Sequence, residues 1–73
     1  MSSTPRQSQV DALIRALKDE YVAEEAVKAA PDAAARAAAA RALARAHTLF
    51  DRAHANATKA ERAEAMRIIQ GRR

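Results

Sequence analysis

The sequence predicts an all-α fold: an antiparallel helical hairpin over about 5–29 and 32–55 with a shorter third helix over about 58–70, completed by oligomerisation. Three observations predict it. Helix breakers are almost missing from the interior, with one glycine, Gly71, and prolines only at Pro5 and Pro31. Alanine, the strongest helix former, supplies 22 of the 73 residues. Bulky apolar residues recur at steps of three and four, the period of one helical face.

The first helix opens near Thr4-Pro5-Arg6-Gln7. This offers a capping threonine, a proline at the first helical position and a glutamine at the third. Ser8 with Asp11 is a competing start. Val10, Leu13, Ile14, Leu17 and Tyr21 then fall on one stripe. The helix is expected to stop near Ala29, because Ala30 precedes Pro31 and is driven out of the helical region, whereas Pro31 and Asp32 suit the opening of the next helix.

The second helix carries the densest alanine run, ten of the sixteen residues from Pro31 to Ala46. Glycine and serine are absent from it, so it reads as helix rather than flexible linker. Ala35, Ala39, Ala42, Leu43, Ala46, Leu49, Phe50 and Ala53 share one face, with Arg41, Arg45, Thr48 and Arg52 roughly opposite. An alanine stripe lets two helix axes approach closely, trading hydrophobic area for dispersion contacts. The helix ends around Ala55 or Asn56. Thr58-Lys59-Ala60-Glu61 is a second capping arrangement, opening a helix that runs to about Gln70 with Gly71 as its stop.

The first two helices are each about 36 Å long, and a short turn between matched helices makes them antiparallel neighbours. Leu13, Leu17, Leu43 and Phe50 are expected to hold the hairpin. One irregularity stands out. The stripe from Val10 to Tyr21 runs on into Glu24, Glu25 and Lys28, while Val22, Ala23, Ala26 and Val27 occupy a different face. Either the helices wind around one another, or the second face meets another chain.

At 73 residues the chain is a single small helical domain, with 1–4 and 71–73 expected to fray. Alanine accounts for 22 of the 36 hydrophobic residues, so only 14 bulky ones remain to build a core. With no cysteine, disulfides and thiolate metal sites are excluded as staples. Self-association or a helical protein partner is the natural remedy. The surplus apolar residues expected to meet that partner are Val22, Val27, Met66, Ile68 and Ile69.

Charge is uneven: residues 1–31 carry −1, residues 32–57 carry +2 and residues 58–73 carry +3. Arg41, Arg45 and Arg52 form a basic line, and Lys59, Arg62 and Arg67, with Arg72 and Arg73, extend it. This footprint makes nucleic acid the alternative partner. Two aromatic residues supply little base stacking. The bland reading of the same charges is a solvated face, with Glu20 and Glu25 pairing to Arg41 and Arg36.

His47, Asp51 and His54 lie along one edge of the second helix at spacings of four and three, a pattern that can hold a metal. In a hairpin turning near residue 31, His47 is expected beside Ile14, with the acidic residues of the first helix at a different level. Only an intermolecular arrangement would complete such a site, so no metal is assigned. Without a cysteine nucleophile or a glycine-rich phosphate loop, no catalytic residue, cofactor or enzymatic activity is expected. There is no apolar run of membrane-spanning length and no signal-peptide pattern, so the expected location is cytoplasmic, with no membrane partner. The function expected is a small interaction module that assembles with itself or serves as an adaptor or chaperone for a helical protein.

Overall fold

The computed structural model describes residues 4–71. They form three helices, α1 (Gln7–Ala29), α2 (Ala33–Asn56) and α3 (Lys59–Gly71). Of the ends expected to fray, residues 1–3 and 72–73 lie outside the described residues, and Gly71 is the last residue of α3 rather than a stop beyond it.

The breaks between helices follow local chemistry. Ala30 is extended (φ −61°, ψ 126°), as a residue before proline is driven to be. Asp32 caps α2, its carboxylate accepting the N–H of Ala35 at 2.8 Å. At α3 the second capping box forms reciprocally: the Thr58 N–H donates to Glu61 Oε1 at 2.8 Å and the Glu61 N–H to Thr58 Oγ1 at 3.1 Å.

The opening of α1 differs from the expectation. Neither Thr4 nor Ser8 caps it; the capping position belongs to Arg6, which is extended (φ −76°, ψ 119°) and uses no side-chain cap of its own. The physical reason lies 55 residues away. Glu61 Oε2 accepts the Arg6 N–H at 2.7 Å, so a distant carboxylate replaces the local hydroxyl at the N-terminus of α1.

α1 packs against α2 along the hairpin and against α3 over its first half. On α1 the inward positions include Val10, Leu13, Ala16, Glu20, Ala23 and Val27; on α2 they include Ala35, Ala39, Ala42, Ala46 and Ala53. Steps of three and four on both helices are the spacing of one helical face turned to its neighbour. The seam takes in Ala23 and Val27 of the second face of α1 and leaves Val22 and Ala26 exposed. Tyr21 (59% exposed) and Leu49 (54% exposed) lie outside the stripes in which they were expected.

Bulky burial is confined to one end. Val10, Leu13, Ala57 and Ala65 form the core cluster, with Ile14, Phe50, Ala53 and Ile68 packed against it. All lie in the half remote from the Pro31 turn, where three helices meet. Leu17 and Leu43 are half-buried. Towards the turn only α1 and α2 remain, and what they bury is small: Ala16, Ala23 and Ala46. The result is an elongated body of 52 × 25 × 14 Å. Its radius of gyration is 14.5 Å, against about 11 Å for a compact chain of this length.

Candidate interaction surface

A polar knot ties the three helix ends together and sets the frame. Glu61, 1% exposed, receives the Arg6 N–H and Nε on Oε2, both at 2.7 Å, and Arg6 Nη2 on Oε1 at 3.0 Å, beside the Thr58 N–H already described. The forked guanidinium contact and the backbone donors hold the Glu61 carboxyl well below the usual carboxylate range, with the Arg6 side-chain bonds the largest cause. The same bonds raise Arg6. Arg6 Nη2 also reaches the Asn56 carbonyl at 3.1 Å. Arg62 donates to the carbonyls of His54 and Ala57 at 3.1 and 3.0 Å, and the Gln9 amide to the Ala53 carbonyl at 3.0 Å. These bonds satisfy the carbonyls at the end of α2.

With α3 pinned in this way, its C-terminal end reaches only the middle of α1. A cleft there is lined by Ile14, Lys18, Tyr21, Val22 and Ile69. A second cleft of about 130 Å³ opens over Leu13 and Leu17, walled by Phe50, His54, Met66 and Ile69. Beyond α3 the hairpin is bare on one side. A shallow groove of about 350 Å³ runs along it between Asp19, Val22 and Ala26 of α1 and Ala42, Arg45 and Leu49 of α2. Its floor is Ala23 and Ala46, both buried.

The residues expected to meet a partner are dispersed over these features. Val22, 62% exposed, belongs to both the groove and the adjoining cleft. Met66, 50% exposed, and half-buried Ile69 line the second cleft. Val27 is half-buried on the seam with α2, and Ile68 packs on the core cluster. The structure adds Leu49 and Asp19, which sequence reasoning missed. Period alone gives no signal for Leu49, which stands two heptads on from the inward Ala35.

The basic residues also divide. Arg41, Arg45, Arg52 and Lys59 are exposed. Arg62 is committed to the end of α2, and Arg67 is paired with Glu64, which raises its pKa through that side-chain bond. The pairings weighed from sequence are replaced by other contacts: Glu25 meets Lys28 at 3.4 Å rather than Arg36, and Glu20 meets the His47 ring at 3.4 Å rather than Arg41. His47 therefore does not stand apart from the acidic residues of α1. Even so, among the described residues no three or more His, Asp or Glu come together as a metal-binding group. His54 instead packs its ring against Phe50, centroids 5.9 Å apart. No described helix is long and apolar enough to cross a membrane.

No family model matches this chain, and no curated protein or solved structure matches it either.

Proposed function

We propose that this chain is a small helical protein–protein interaction module that docks through the bare side of its hairpin. The observation that carries the reading is the groove in which Val22 and Leu49, both more than half exposed, flank a floor of buried alanine. Two large apolar side chains held on a rigid helical pair, beside small residues that let another helix approach, suit a helix-in-groove contact.

A second reading has its own observation. Arg41, Arg45 and Arg52 are exposed along one side of α2, and among the described residues none has an acidic partner. Such a line can contact the phosphates of a nucleic acid.

One experiment separates the two. Light scattering behind a size-exclusion column, with absorbance at 260 and 280 nm, is combined with circular dichroism on Val22→Ser and Val27→Ser chains. Val22→Ser is expected to weaken association and leave helicity unchanged, whereas Val27→Ser, on the seam, lowers both. Helicity lost in step with association for Val22→Ser would place that residue in the core and remove the docking face. A monomer that carries nucleic acid, and releases it in high salt or after Arg41, Arg45 and Arg52 are replaced by Gln, would put the second reading first.

A further inference from the structure

The groove carries its own complement. Its α1 wall presents Asp19 and its α2 wall presents Arg45, and among the described residues neither forms an ion pair. We infer that the occupant of this face is a second copy of the chain, related by a two-fold axis running along the hairpin, so that α1 of one copy lies over α2 of the other. This rests on the docking reading above and names its partner.

The choice of axis follows from charge and direction. An axis parallel to the helices exchanges the two walls while every residue keeps its level, so Asp19 of each copy comes to the Arg45 side of the other and Val22 to the Leu49 side. Within one chain Asp19 and Leu49 already share the groove. Arg45 lies one turn, about 6 Å, from Leu49, within the span of its side chain. Each α1 then runs antiparallel to the α2 above it, the arrangement of a four-helix bundle with opposed dipoles. An axis across the helices would instead stack α1 on α1 and α2 on α2. That lays the wall carrying Asp19 over the same wall of the other copy, and the wall carrying Arg45 over its own counterpart, so neither charge meets its opposite.

The surface area agrees. A compact monomer of 7.9 kDa exposes about 4,400 Å², whereas this chain exposes 5451 Å². The excess, about 1,000 Å², is of the size that one partner contributes to a standard interface, about 800 Å². The alanine floor lets the second hairpin settle closely, in the manner in which α1 and α2 already meet.

Charge reversal tested in trans decides the matter. The full chain is expected to be a dimer by light scattering at tens of micromolar. Asp19→Arg alone places four cations at the two contacts of a homodimer, and Arg45→Asp alone places four anions there; each is expected to raise the dissociation constant at least about tenfold with helicity unchanged. Mixing the two variants restores opposite charges at both contacts, so a heterodimer of near wild-type affinity is expected. A contact within one chain cannot be rescued by a second. A wild-type chain that stays monomeric at every concentration overturns the second copy as occupant. The docking reading itself falls on the helicity result for Val22→Ser, or gives way to the second reading if a monomer carries nucleic acid. Dimers that survive both single reversals, or variants that fail to recover on mixing, overturn the arrangement.

Discussion

Glu61 is the residue on which most of the assembly converges. It caps its own helix, closes the N-terminus of α1 and receives the fork of Arg6, so one buried carboxylate serves donors on two segments, at Arg6 and at Thr58. Its depressed pKa is therefore a statement about stability. In the unfolded chain it protonates near the ordinary glutamate value, about 4.3. In the folded chain it protonates only well below that. Between the two values the unfolded state holds more protons, so stability falls as pH falls through this window and is fully present above it. Thermal melts of the wild-type chain are expected to show a falling midpoint from about pH 4.5 downward. Glu61→Gln keeps the shape and loses the charge, and is expected to lower the midpoint at pH 7 and flatten this acid limb. A limb of unchanged slope in the variant would assign it to other carboxylates.

Among the elements, the hairpin shows what alanine does when it replaces leucine at a helix seam. Ala16 and Ala23 face Ala46 and its neighbours with little area to bury, so the pair relies on close approach and on caps such as Asp32 rather than on a wide apolar stripe. Close approach makes the seam sensitive to added volume. Ala46→Leu adds hydrophobic area, yet is expected to destabilise by about 1–3 kcal/mol in urea titration because it forces the axes apart. Stabilisation by Ala46→Leu would mean that the seam has room the structure does not show. The short α3 works differently. Its Ala65 is buried in the core cluster and Ile68 packs against that cluster, while Met66 faces out beside His54, so a helix too short to stand alone is held by one side and by its capped end.

For the molecule as a whole, the consequence is a gradient of order along its length. The three-helix end holds the bulky core and the polar knot, whereas the end near Pro31 has two helices and alanine between them. Local opening is easiest where little apolar area is buried. Hydrogen exchange on dilute protein is expected to be slowest for amides around Leu13, Phe50 and Ala65 and faster around Ala23, Val27 and Ala42. Raising the concentration is expected to slow exchange at Ala23 and Ala46 most, since these form the floor of the groove that a second copy would cover. Uniform protection from end to end, at any concentration, would contradict the gradient.

Much of this was legible in the sequence. Pro31, Asp32, the Thr58–Glu61 box and the lack of internal glycine determine three helices within two residues of their observed bounds, because caps and breakers act through bonds between near neighbours. The alanine face of α2 was legible too, since periodicity is a property of one helix. The tertiary structure decided the rest. Arg6 and Glu61 find each other across 55 residues, so Thr4 lost a capping role that local pattern assigned to it. Tyr21 and Leu49, which fall on the expected stripes, are exposed, and His47 meets Glu20, which a register read from the turn places at another level. Whether an apolar residue becomes core or surface depends on where its neighbour helix runs, and α3 ends before it can cover Val22. Propensity and capping belong to the single chain segment; the groove exists only in the space between segments.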